Sequence, residues 1–145
     1  MKIVIATDHN GVNEKKEIIN NLNEAYEIID MSTNNTPTDD YPEFAFKVAE
    51  YISKNPDSLG ILMWGTGIGM SIAANKVNNI RCAHVSNVDE AKLSRMHNNA
   101  NIMALSYKND INDILECINT FISTPFSNEE RHIRRIKLIT EYEKR

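Results

Sequence analysis

Residues 60 to 76 combine an apolar run, glycines at 65, 67 and 69, and a small-residue stretch through Ser71, Ala73 and Ala74. In that order they predict a buried strand (Ile61–Trp64), a loop, and a short helix. Such a loop can cradle an anion. Glycines let backbone N–H groups approach a ligand closely, and a helix N-terminus adds partial positive charge. Glycine-rich strand-to-helix turns also serve as plain tight connections, so the pattern needs other chemistry beside it. Thr7-Asp8-His9-Asn10-Gly11 supplies a carboxylate and an imidazole in one polar loop. Arg131 and Arg135 are four apart on a predicted helix, share a face, and can grip one phosphate between them. The plainer alternative for them is a solvated basic face, which suits Arg134 and Lys137.

These groups must be positioned by a larger frame. Short apolar runs predict strands at Lys2–Ala6, Tyr26–Asp30, Ile61–Trp64, Ile80–Val85 and Asn101–Leu105. Between them, helical spacing predicts helices at Asn13–Asn23, from Pro42 to about Asn55, after Gly69, at Ser86–Met96 and at Asn112–Ile122. Ser86 and Asp89 stand at cap spacing. A last helix is predicted from Ser127, with Glu130 completing a capping box, to about Glu143, with Ile133, Ile136 and Ile139 inward. Ser32–Asp40 is the longest irregular stretch and is expected to be functional or mobile. Alternating strands and helices predict an α/β fold: one three-layer αβα domain over residues 1–145, with a five-stranded parallel Rossmann-like sheet in the order 2-1-3-4-5 and an extra C-terminal helix. In that order the switch point lies between strands 1 and 3. Topology therefore brings Asp8 and His9 to the glycine loop.

Composition excludes several classes. The chain has 145 residues with 41% hydrophobic and 25% charged, as expected of one globular domain. A net charge of −4 argues against nonspecific nucleic-acid or membrane binding. No apolar run is long enough to span a bilayer, and the N-terminus turns polar at Thr7, so a cytoplasmic location is expected. Cys82 and Cys117 show no metal-ligand spacing and are expected as free thiols. The glycine loop lacks the Lys-Ser/Thr pair of a P-loop, and no G-x-G-x-x-G follows strand 1, so a nucleotide site is not indicated.

Five signatures stand in one order: Thr7-Asp8-His9-Asn10-Gly11, Asp40-Tyr41-Pro42, Gly65 through Lys76, His97-Asn98-Asn99-Ala100-Asn101 and Arg131-His132-Ile133-Arg134-Arg135. Together they resemble the type-B ribose-5-phosphate isomerase family, which includes the galactose- and allose-6-phosphate isomerases. The resemblance covers about Met1 to Tyr142. It implies a cofactor-free, metal-free aldose–ketose isomerase of the pentose phosphate pathway, acting on a sugar phosphate through an enediolate. It also implies a homodimer, in some members a tetramer, with active sites shared between subunits.

The resemblance further implies His97 as the ring-opening acid–base, with Asp8 assisting or orienting a hydroxyl. It implies Gly65, Thr66, Gly67, Ile68 and Gly69 as the anion hole, His9, Lys108, Arg131 and Arg135 near the phosphate, and Tyr41 and Asn98 around the sugar. Lys108 stands where the family commonly has arginine, which keeps charge but loses the planar fork. His97 ends a helix just before strand 5, at the pole opposite the glycine loop. A strand of five or six residues covers roughly 17–20 Å, so His97 is expected to serve a neighbouring chain's site.

One departure touches the chemistry itself. The family commonly has a cysteine before the glycine loop as the C2 base, and here Trp64 stands there; a glutamate used by some members is replaced by Met70. Neither indole nor thioether is a useful base. Three readings are open: a displaced base, such as Asp8 or a partner's residue; a catalytically impaired sugar-phosphate binder; or one subunit of a hetero-oligomer acting on galactose or allose 6-phosphate.

Overall fold

The computed structural model describes all residues, 1–145. Its centre is a parallel sheet of β1 (Lys2–Thr7), β2 (Glu27–Asp30), β3 (Leu59–Trp64), β4 (Cys82–His84) and β5 (Ile102–Ser106). Apolar side chains on β1, β3 and β5 alternate between two cores. Ile3, Ile5, Ile61, Met63, Met103 and Leu105 face one layer; Val4, Ala6, Leu62, Ile102 and Ala104 face the other. Helices α1 (Val12–Leu22), α4 (Val88–Asn98) and α5 (Ile111–Ser123) cover the first face through Ile18, Ala91, Ile118 and Phe121. Helices α2 (Tyr41–Lys54) and α3 (Ile68–Ala74) cover the second through Val48, Ala49, Met70 and Ala74. Burial on both faces is why these strands read as continuous apolar runs.

The three-layer α/β fold is as expected, but the strand order is β2-β1-β3-β5-β4, not 2-1-3-4-5. The reason lies in the two strands. β5 is buried along four of its five residues, whereas β4 has three residues and passes from buried Cys82 to exposed His84. A short strand ending in a polar residue tolerates an edge, while an apolar strand does not. The switch between β1 and β3 is unaffected, and β5 becomes β3's direct neighbour.

Element ends differ by a residue or two from expectation. A 3₁₀ turn at His9–Gly11 precedes α1, and Pro42 stands in the first turn of α2. In α4 the capping box sits one residue later than Ser86 and Asp89: Asn87 accepts from the Glu90 N–H, and the Glu90 carboxylate accepts from the Ser86 N–H. The last helix, α6, runs Glu130–Glu143. Its expected capping box at Ser127 and Glu130 does not form, because Ser127 Oγ accepts from Glu129 N–H in the turn before the helix.

The inward face expected for α6 is also absent. Ile133 is 46% and Ile139 49% exposed, Leu138 and Tyr142 are more so, and His132 is the helix's only buried residue. Both sheet faces are already covered by five helices, so α6 packs against α4 alone among the helices it touches appreciably. No helix of the chain is long and apolar enough to cross a membrane.

Candidate active site

At the carboxyl ends of β1, β3 and β5 the chain gathers Asp8, His9, Tyr41, Trp64, the glycine loop and Lys108. Asp8 follows β1 and is 3% exposed. Its carboxylate accepts from the Asn10 N–H at 3.2 Å. Burial pushes the Asp8 carboxyl above its usual range, against the lowering effect of Asn10 and of His9. A carboxylate that is costly to charge is a better proton acceptor, which suits a general base.

His9 is oriented by a residue that sequence reading does not single out. Asp39 Oδ1 lies 2.8 Å from His9 Nδ1 and also accepts from the His9 N–H. Asp39 Oδ2 accepts from Asn35 Nδ2 and from Thr36 N–H. Burial raises the Asp39 carboxyl, but these hydrogen bonds, His9 first, outweigh it and hold the group below its usual range. The carboxylate therefore accepts from Nδ1–H and leaves Nε2 without a partner in the chain. Asn35 also donates to the Thr7 carbonyl, so the long Ser32–Asp40 stretch is pinned to the site.

The glycine loop is held from several sides. Gly67 has φ +81°, and a Cβ there would stand 3.0 Å from the Leu105 backbone, so only glycine fits without strain. Thr66 Oγ1 accepts from Ile68 N–H at 3.2 Å. Ser106 Oγ donates to the Gly65 carbonyl at 2.6 Å and accepts from the Lys108 N–H. The Gly65, Thr66 and Gly67 N–H groups donate to no acceptor in the chain. They are unused donors beside Asp8's loop, as an oxyanion hole needs.

Trp64 ends β3 and stacks on Tyr41, ring centroids 4.2 Å apart. Tyr41 in turn lies over Gly69, where a Cβ would come 2.5 Å from its ring. The position where a cysteine base would stand is thus one wall of an aromatic pair. Met70 is fully buried in the core between the sheet and α2 and α3, so its side chain lines no site. Neither cysteine substitutes. Burial pushes the Cys82 thiol up to about 12, and burial followed by Asp113 raises Cys117.

A second residue missed from sequence is Tyr107, after β5. A Cβ on Gly65 would lie 3.9 Å from its hydroxyl and 4.0 Å from Lys108 Nζ. Burial, then the Asp8 charge, raises the Tyr107 phenol, which keeps it a neutral donor. With β5 placed beside β3 the residue is at the switch point; the order 2-1-3-4-5 would have put it a strand away.

The other expected residues gather elsewhere. His97, in the last turn of α4, stacks on His132 of α6 with centroids 4.4 Å apart. Asn98 is exposed, and its carbonyl accepts from Arg81 Nε just before β4. Arg131 pairs with Glu129 at 3.1 Å, both exposed, and Arg135 has no partner in the chain. These residues lie at the amino ends of the strands, and the length of β5, roughly 17 Å at 3.3 Å per residue, separates them from the glycine loop. A groove of about 710 Å³ lies beside them, lined by Arg81, Asn98, Leu138, Ile139 and Tyr142, and none of these belongs to the glycine-loop side. No three His, Cys, Asp or Glu side chains are grouped to hold a metal ion.

His132 is buried on α6 beside His97. Burial, then the nearby His97, holds its imidazole below the usual histidine range. Such a group binds fewer protons folded than unfolded, so stability is present above the unfolded value, about 6.5, and falls as pH drops through it. Thermal melts between pH 8 and 5 are expected to show this loss in the native chain and less of it in His132→Phe. Equal slopes in the two proteins would contradict the assignment.

The molecule is a parallel α/β sheet whose switch point presents a carboxylate and unpaired backbone donors, the equipment of proton transfer at a carbon next to a carbonyl. The family model for ribose/galactose isomerases matches residues 3–139. Ribose-5-phosphate isomerase B of Mycolicibacterium paratuberculosis is 37% identical, over 99% of this chain and 92% of its own. Among solved structures, ribose-5-phosphate isomerase B of Mycoplasma genitalium with bound ribulose-5-phosphate superposes with a TM-score of 0.94 at 39% identity, covering 99% of this chain and 96% of that one. Ribose-5-phosphate isomerase B of Clostridium thermocellum gives 0.93 at 43% identity, covering 99% and 98%. The chain belongs to the ribose/galactose isomerase family.

Proposed function

We propose that the chain is an aldose–ketose isomerase that interconverts ribose 5-phosphate and ribulose 5-phosphate, with residues 1–145 forming one catalytic domain. The observation that carries this reading is the buried, proton-seeking Asp8 carboxylate next to the unpaired N–H groups of Gly65, Thr66 and Gly67. The Mycoplasma genitalium relative, so similar in fold and holding ribulose-5-phosphate, supports the choice of substrate.

The reaction then runs as follows. His97 passes a proton to the ring oxygen as the bond from C1 to that oxygen breaks, the C1 hydroxyl gives up its proton to solvent to leave the open-chain aldehyde, and solvent reloads His97. Asp8 takes the C2 proton; the electron pair moves into a C1–C2 double bond and leaves negative charge on the former carbonyl oxygen. The glycine-loop N–H groups stabilise that oxyanion. A proton shifts between the two enediol oxygens, and Asp8 returns its proton to C1, giving the ketose. His9, Lys108, Arg131 and Arg135 supply positive charge for the phosphate. Tyr41, Trp64 and Asn98 line the sugar, the aromatic pair covering the side on which a cysteine would have stood.

His97 and the arginines belong to a second chain in this scheme, because one chain's two groups sit at opposite ends of its strands. A homodimer with two shared sites supplies both. The exposed Ile68 and Ile72 on α3 and Ile133, Leu138, Ile139 and Tyr142 on α6 offer the apolar surface such an assembly buries. The reaction uses a soluble metabolite and no membrane or nucleic acid, consistent with action in the cytoplasm.

The test is ketose formation from ribose 5-phosphate by the purified chain and by Trp64→Cys, with galactose and allose 6-phosphates in parallel. Turnover of the pentose phosphate by the native chain is expected, with Trp64→Cys not required. Turnover only in Trp64→Cys would mean that the base has been lost. Preference for a hexose phosphate would reassign the substrate, and no turnover or sugar-phosphate binding by either protein would overturn the reading.

A further inference from the structure

His84 is the last residue of β4, exposed at the edge of the sheet, yet its ring reaches the glycine loop: Nε2 lies 2.8 Å from the Thr66 carbonyl oxygen. A carbonyl only accepts, so Nε2 carries a proton in this contact. Thr66 is thereby held twice, since its Oγ1 accepts from Ile68 N–H. The Thr66–Gly67 peptide is trans, so its N–H points opposite to its carbonyl. With the carbonyl drawn toward His84, the Gly67 N–H is aimed away from that edge of the sheet. That N–H has no acceptor in the chain.

A contact of this kind has something to hold. Gly67 sits at φ +81°, and turning the preceding peptide over would carry φ to the negative side, which glycine tolerates equally well. Neither state is excluded by the residue itself, so the orientation of the donor depends on what grips the carbonyl. We propose that His84 is a positioning residue that holds the Thr66–Gly67 peptide with the Gly67 N–H facing the charge of the enediolate. The proposal rests on the isomerase reading above.

Steady-state kinetics with ribose 5-phosphate on His84→Leu and His84→Gln test it. Outright loss of an oxyanion donor costs roughly a hundred- to a thousandfold in kcat, and a misdirected one is expected to cost about ten- to a hundredfold. His84→Leu should show that fall with KM changed less than about twofold. His84→Gln, whose side-chain amide can donate to the same carbonyl, should recover most of it. Native kcat in His84→Leu, equal loss in both variants, or a change in KM alone would overturn the proposal.

An inactive native chain would sink the isomerase reading instead. The clamp itself is then decided by nitrogen-15 NMR. An Nε2–H tautomer for His84, and a Gly67 amide signal displaced in His84→Leu but not in His84→Gln, are expected. A freely exchanging tautomer mixture, or an unmoved Gly67 signal, would overturn it.

Discussion

Asp8→Asn is expected to remove turnover and to make the protein more stable at neutral pH. A positioned base contributes on the order of 10²- to 10⁴-fold to rate, and an amide cannot replace it. The stability half follows from burial. The folded Asp8 carboxyl lies above its usual range because desolvation disfavours its charge. A group raised in this way contributes stability below its unfolded value, about 3.9, and loses it as pH rises through the folded value. Asparagine never charges, so its advantage is nil near pH 4 and full at neutral pH. Melting curves at pH 4 and 7.5, with kcat at the latter, check both halves. Native kcat in the variant would remove Asp8 from proton transfer, and equal melting temperatures at pH 7.5 would contradict the desolvation argument.

The second large effect concerns His97. His97→Asn is expected to lose roughly 10²- to 10⁴-fold in turnover of ribose 5-phosphate, the range for a general acid–base. The loss should be selective for cyclic substrate. An aldotetrose 4-phosphate has its ring-forming hydroxyl blocked by the phosphate and stays open, so it needs no ring-opening step. Its turnover by His97→Asn should be near native. Equal loss on both substrates would place His97 in the carbon–proton chemistry or in the fold, through its stack on His132.

Much of this architecture is written in local pattern. β1 and β3 are apolar on both faces, their glycine and Asp-His loops follow at once, and a doubly wound chain brings those loops together. The order of β4 and β5 is not local. Both are short apolar runs, and what separates them is exposed His84 against buried Leu105, a property of the folded neighbourhood. The direction of α6 is hidden for a similar reason. Ile133, Ile136 and Ile139 have the spacing of an inward stripe whether the surface they meet belongs to the same chain or to another.

The site divides in the same way. Asp8 and the glycine loop declare themselves by residue type and spacing. Asp39's hold on His9 joins residues thirty apart, and His84's on Thr66 joins residues eighteen apart. Such hydrogen bonds leave no periodic trace, and a lone histidine on a strand carries no signal of its own. Tyr107 becomes visible only with β5 correctly placed. The aromatic pair of Tyr41 and Trp64 is a packed wall where the cysteine would stand, and in the proposed reaction proton transfer falls to the carboxylate across the loop.

In the proposed reaction one catalytic centre takes Asp8 and the glycine loop from one chain and His97 from another. The most direct measurement mixes Asp8→Asn with His97→Asn under conditions that let subunits exchange, and assays ribose 5-phosphate isomerisation. In a mixed dimer one site carries both substitutions and the other carries neither. Random pairing of equal amounts should therefore restore roughly a quarter of native activity, as the twofold symmetry of a shared-site dimer requires. Activity that stays at the level of the two parent variants, with exchange verified, would contradict the shared site.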